Sequence, residues 1–107
     1  MWTVEFLPGA VKDFKRLSNE RKILVMKILK RVQANPLPNT MGGYGKPLGN
    51  KKGKNLTNYY KIKLKDSGIR IVYRLIKVDC KMVIIVIGLR NDYDVYDLAF
   101  RRVSGHE

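Results

Sequence analysis

Between Tyr59 and Arg74 the chain reads YYKIKLKDSGIRIVYR, with cations at Lys61, Lys63, Lys65, Arg70 and Arg74. Apolar and polar residues alternate up to Asp66-Ser67-Gly68, a turn signal, and then apolar residues resume, the pattern of a β-hairpin. Period two puts Ile62 and Leu64 on one face with Ile69, Ile71 and Tyr73, and the five cations on the other. For the apolar residues to share a face, Leu64 must lie opposite Ile69 and Lys63 opposite Arg70. Like charges across a strand pair are destabilising, so a polyanion that relieves the repulsion is the natural partner. If that polyanion is RNA, its 2′-OH is a built-in nucleophile. Attack on the adjacent phosphate needs that oxygen deprotonated, the phosphate's growing charge neutralised and the 5′ oxygen protonated. Lysine is a poor base at its ordinary pKa near 10.4. Crowded cations lower that value, because like charges disfavour the protonated form. Lys63, flanked by Lys61 and Lys65 and facing Arg70, is so placed. The residues alone fit either catalysis or a passive phosphate-binding face.

The whole chain supports an anionic partner. Its 107 residues suit one domain with a modest core, and 45% of them are hydrophobic, as in ordinary globular proteins. Twenty-two Lys and Arg against nine Asp and Glu give a net charge of +13, which points to nucleic acid or an anionic membrane surface. No apolar run approaches the roughly 20 residues of a membrane helix. The start, MWTVEFLPGA, lacks the basic and apolar segments of a secretory signal. One cysteine, Cys80, makes no internal disulfide and fits a reducing compartment. The expected location is the cytoplasm.

The elements that must position the hairpin follow from periodicity. Trp2 to Phe6 alternates as a short strand. Pro8 opens a helix with Ala10, Phe14 and Leu17 at helical spacing. Ser18 or Asn19 caps a second helix, Glu20 to Ala34, with apolar rows Leu24/Ile28/Val32 and Val25/Leu29 and a basic outer face. Asn35-Pro36 ends it. Pro36 to Asn55 shows no periodicity and reads as a long loop, whose Lys51, Lys52 and Lys54 are candidate phosphate contacts or simply a solvated basic run. It has no GxxxxGK[ST] spacing. Lys81 to Arg90 is a continuous apolar run, the mark of a strand buried on both faces. Asp92 to Val103 reads as a final helix with Val95, Leu98, Ala99 and Arg102 near one face. The expected order is β-α-α-β-β-β-α: an α+β fold in which an N-terminal strand and helical hairpin pack on a mainly antiparallel sheet, ending in a short helix. The only histidine, His106, sits at the extreme C-terminus. One Cys and one His make no zinc set. Asp92, Asp94 and Asp97 read as capping or solvated residues, so no metal and no cofactor is expected.

YYKIKLKDSGIRIVYR together with VIGLRNDYDVYDLA resembles the RelE toxins of bacterial type II toxin–antitoxin systems, within the RelE/ParE superfamily. The likeness runs from VEFLPGAVKDFKRL through KPLGNKKGKN to the tail, so residues 1–107 are expected to form a single RelE-like domain. The resemblance implies a metal-independent endoribonuclease that cuts mRNA in the ribosomal A site, leaving a 2′,3′-cyclic phosphate and a 5′-hydroxyl. It places the family's two lysines on Lys61 and Lys63, its arginines on Arg70 and Arg90, and its tyrosine on Tyr96. By similarity Lys63 is the general base, and Arg90 the general acid or leaving-group stabiliser. Lys61 and Arg70 hold the phosphate, and Tyr96 stacks on or orients the nucleotide. Lys51, Lys52, Lys54, Lys65 and Arg74 are the expected further RNA contacts. The chain departs from close relatives at Leu89 and Asp92, where they often carry Lys or Arg. The implied partners are the ribosome with its mRNA and a cognate RelB-like antitoxin whose segment wraps the domain. Two other readings are a ParE-like gyrase inhibitor and a noncatalytic RNA- or ribosome-binding protein.

Overall fold

The computed structural model describes residues 2–51, 54–64, 66–89 and 95–104, and at Asn50, Lys51 and Lys54 the backbone alone. Its elements are β1 (Thr3–Phe6), α1 (Pro8–Lys15), α2 (Asn19–Ala34), β2 (Lys46–Lys51), β3 (Lys54–Leu64), β4 (Ile69–Ile76), β5 (Lys81–Leu89) and α3 (Val95–Val103). The five strands form one sheet in the order β1-β5-β4-β3-β2. Only β1 with β5 is parallel; the other neighbours are antiparallel.

Each helix forms where its local signals lie. Pro8 occupies the first turn of α1, where a missing N–H costs nothing. Ser18 caps α2, its Oγ accepting from Arg21 N at 3.3 Å. The buried stripe of α2 is Val25, Leu29 and Val32, spaced i, i+4, i+7. Leu24, expected in that stripe, lies at its margin and is 42% exposed, because the contact is centred one residue further round the helix.

Alternation divides the sheet into two cores. On one face Tyr60, Ile62, Ile69, Ile71, Tyr73, Met82 and Ile84 pack with Ala10 of α1 and the stripe of α2. On the other, Leu48, Leu56, Tyr59, Val72, Ile85 and Val86 pack with Val95 and Ala99 of α3. β5 contributes to both, which explains its unbroken apolar run. The last helix begins at Val95; the expected start at Asp92 falls outside the described residues.

One expectation fails. The stretch from Pro36 to Asn55 is not a structureless loop: its second half is β2, the edge strand beside β3. The pairing slips between Pro47 and Gly49, with Gly49 at φ +65° and Asn58 opposite at φ +71°, a bulge that hides strand periodicity. The first half is tied down by backbone bonds such as Asn39 N to Gly45 O at 2.7 Å. Tyr73 also anchors it, donating its hydroxyl to Pro36 O at 2.7 Å. Burial pushes the Tyr73 pKa above the usual tyrosine range. Gly45 lies so close that a Cβ there would meet the Tyr73 hydroxyl.

Candidate RNA-cleavage site

The β3–β4 hairpin has the register that alternation demands. Leu64 pairs with Ile69, Lys63 with Arg70, and Lys61 with Val72. The turn is closed by Gly68 N to Leu64 O at 3.0 Å, with Gly68 at φ +73°. Ser67 Oγ donates to Leu64 O at 3.1 Å and accepts from Ile69 N at 3.3 Å. Lys65 lies outside the described residues.

The cations are not one uniform solvated face. Lys63 is exposed and Arg70 half-buried, but Lys61 is only 7% exposed. What covers it is α3. Lys61 Nζ donates to the Tyr96 hydroxyl at 3.0 Å and lies 5.1 Å from the centre of the Tyr96 ring. The expected Lys61, Lys63, Arg70 and Tyr96 are thus brought together from β3, β4 and α3. Arg90 follows Leu89, whose backbone pairs with Ile69; Arg90 itself lies outside the described residues. One cation was missed: Lys46 of β2 is exposed and pairs with Lys61 across the strands. It sits in a stretch without periodicity, so only tertiary pairing reveals it.

Electrostatics single out Lys63. Its pKa is lowered, chiefly by the Lys61 ammonium, with smaller lowering from desolvation, the contact with Lys61 and Arg70; Tyr96 acts the other way. Crowding therefore moves this amine towards the neutral form that can accept a proton. Lys61 and Arg70 beside it offer fixed positive charge to a phosphate.

The further basic candidates spread along the sheet. Arg74 is exposed on the same face, its guanidinium 5.8 Å from the centre of the Tyr59 ring. It is separated from Arg70 by Val72, which is buried beneath α3. The backbones of Lys51 and Lys54 pair at the far end of the β2–β3 hairpin. Six residues of β3 lie between Lys54 and Lys61, roughly 20 Å of strand, so the backbones of these lysines stand apart from Lys63. Lys52 lies outside the described residues. Among the described residues no three of His, Cys, Asp and Glu come together as a metal site, and no helix is long and apolar enough to cross a membrane. Asp92, Asp94 and His106 are outside that set.

A groove of about 730 Å³ lies between α2 and β1, on the opposite side of the sheet. Its walls are mainly apolar, including Phe6, Ile23 and Met26. Lys22, Lys27 and Lys30 also line it, but the amine with a lowered pKa facing a second cation is Lys63, so the cationic face of the hairpin is the candidate.

Known proteins resemble the chain in sequence and in fold. A RelE-like toxin protein of Escherichia coli is 30% identical over 103 residues, covering 95% of this chain and 97% of its own. The mRNA interferase toxin RelE of Escherichia coli K12 is 28% identical over 106 residues, covering 94% and 95%. The crystal structure of the isolated E. coli RelE toxin superposes with a TM-score of 0.70 at 26% identity, covering 96% of this chain and 99% of that one. The toxin chain of the intact E. coli RelBE toxin–antitoxin complex gives 0.67 at 26% identity, covering 86% and 100%. No family model matches the chain.

Proposed function

Because the chain belongs to the RelE toxin family, we propose that it is the toxin of a type II toxin–antitoxin system and cleaves mRNA in the ribosomal A site as a metal-independent endoribonuclease. One observation carries the reading: Lys63 is exposed beside Lys61 and opposite Arg70, with its pKa lowered by these cations. In the reaction Lys63 Nζ takes the proton of the 2′-OH. The 2′ oxygen forms a bond to the adjacent phosphorus as the bond to the 5′ oxygen breaks, leaving a 2′,3′-cyclic phosphate. Lys61 and Arg70 hold the phosphate and the charge that grows on its oxygens. Arg90 protonates or stabilises the departing 5′ oxygen, which ends as a hydroxyl. Tyr96, hydrogen-bonded to Lys61, orients the nucleotide. The single domain spans 1–107, and the partner that restrains it is a cognate RelB-like antitoxin. The large excess of positive charge favours fast, salt-sensitive association with an acidic partner.

The test is single-turnover cleavage of mRNA on programmed ribosomes. The wild-type protein cleaves without added metal at the chemical step, beyond what keeps the ribosome intact. Lys63→Ala lowers the rate by at least about 100-fold, the usual scale of general acid–base catalysis. Lys27→Ala, exposed on α2 across the sheet, leaves it unchanged. Equal losses from both substitutions would reduce the basic face to nonspecific attraction. Ribosome binding without cleavage would make the protein a noncatalytic binder, and gyrase inhibition without cleavage a ParE-like toxin.

A further inference from the structure

β1 pairs with β5 only as far as Phe6 and Ile84, while β5 runs on to Leu89. Just past that point the β4–β5 register slips, leaving Ile85 without a counterpart in β4. The slip turns the Ile85 carbonyl and the Ile87 N–H towards the outer edge of β5, where no strand meets them. Two side chains do. Asp13 Oδ2 of α1 accepts from Ile87 N at 3.0 Å, and Arg102 Nη1 of α3 donates to Ile85 O at 2.8 Å. The two also pair with each other, Nη1 to Oδ2 at 2.7 Å and Nη2 to Oδ1 at 3.1 Å. Their side chains are 1% and 9% exposed. This is a bidentate, nearly dry ion pair. It reaches around the sheet's edge and ties a helix on one face to the helix on the other.

Helix α3 has nine described residues, too few to hold themselves helical in water. Val95, Ala99 and Arg102 recur at i, i+4 and i+7, so one stripe faces the sheet. The apolar contacts of Val95 and Ala99, with the partly buried Leu98, Phe100 and Val103 beside them, are non-directional and tolerate a small rotation about the helix axis. The directional bonds of Arg102 do not. Tyr96 rides on the same helix. A rotation of about 20° at a side-chain radius of about 6 Å carries its hydroxyl about 2 Å, enough to break the 3.0 Å bond from Lys61.

We propose that Asp13 and Arg102 are positioning residues for RNA cleavage: their ion pair across the open edge of β5 sets the rotation of α3 and thereby the place of Tyr96 over Lys61. The proposal deepens the reading of the site given above and rests on it. Neither residue meets RNA; both act through Tyr96.

A kinetic cycle separates this role from mere stability. Asp13→Asn and Arg102→Lys keep most of the shape and lose the bidentate charge pair. Each is measured on programmed ribosomes at a temperature where circular dichroism matches the wild type, alone and combined with Tyr96→Ala. Alone, each lowers kcat by at least about tenfold, with KM for the ribosome within about twofold; a misplacement of about 1 Å can cost more than that. In the Tyr96→Ala background the same substitutions change kcat by less than about twofold, because the group they position is gone. Asp13→Glu, which keeps the charge, recovers part of the loss. Equal losses in both backgrounds, or no loss in either, overturn the clamp while leaving the cleavage reading intact. If neither the Asp13→Asn nor the Arg102→Lys protein folds at any temperature, the pair belongs to global stability and the positioning role falls. Absence of cleavage by the wild-type protein overturns the underlying reading instead.

Discussion

The two faces of the β3–β4 hairpin come from the same sixteen residues and are built to opposite ends. One face presents Tyr60, Ile62, Ile69, Ile71 and Tyr73, all buried, under helices of eight and sixteen residues. The other presents Lys61, Lys63, Arg70 and Arg74 around the buried side chains of Tyr59 and Val72, under a helix of nine. The first face gains stability from removing apolar surface from water. The second gives some up, since Lys63 stands directly opposite Arg70. The difference shows how a small domain carries a self-repelling site: the cost sits on one side of a hairpin whose other side is over-determined by packing.

Substitutions on each face break this division of labour at different levels. The largest effect on stability is expected from Ile71→Ala, which opens a cavity at a fully buried position. It should cost about 2–5 kcal/mol, read from chemical denaturation, while cleavage per folded molecule stays within about threefold. A parallel collapse of activity in the folded fraction would show that the two faces are not separable. On the cationic face, Lys61→Met should reverse the pattern. The denaturation midpoint holds or rises, because a nearly buried ammonium is replaced by an apolar chain of similar length. Cleavage at neutral pH falls on the order of 100-fold, as when one donor to a growing oxyanion is lost. The sign on pH follows from the cause. Lys61 is the main reason the Lys63 pKa is low, so its removal raises that pKa and shrinks the neutral fraction at pH 7. The rising limb of the pH–rate profile should therefore move to higher pH. A limb that stays in place would mean that Lys63 is not the group being titrated. The smallest effect is expected from Arg74→Ala. Arg74 is exposed and separated from Arg70 by Val72, so cleavage should change by less than about threefold, with weaker ribosome binding at raised salt. A loss as large as that of Lys61→Met would extend the site along the whole strand.

Much of this arrangement is written locally. The alternation of residues 59–74 and the Asp66-Ser67-Gly68 turn dictate which side chains share a face, and hence that Lys63 meets Arg70, because a slip of one residue would send every apolar side chain to the wrong side. Ser18, the Val25/Leu29/Val32 spacing and the unbroken run of β5 likewise declare themselves, since each depends on neighbours a few residues away. What period two cannot state is what covers a face. Lys61 and Lys63 have the same place in the pattern, yet one is buried and the other exposed, because Tyr96 arrives from a helix that starts more than thirty residues later. The strand β2 was hidden for a related reason: a bulge and glycine break its periodicity, and pairing with β3 alone holds it extended. Asp13 and Arg102 are the extreme case. In sequence they read as an ordinary charge on each of two helices, 89 residues apart. Only the slipped edge of β5 makes them partners, because it leaves a carbonyl and an N–H facing outward, and buried polar groups of the backbone must be met by something.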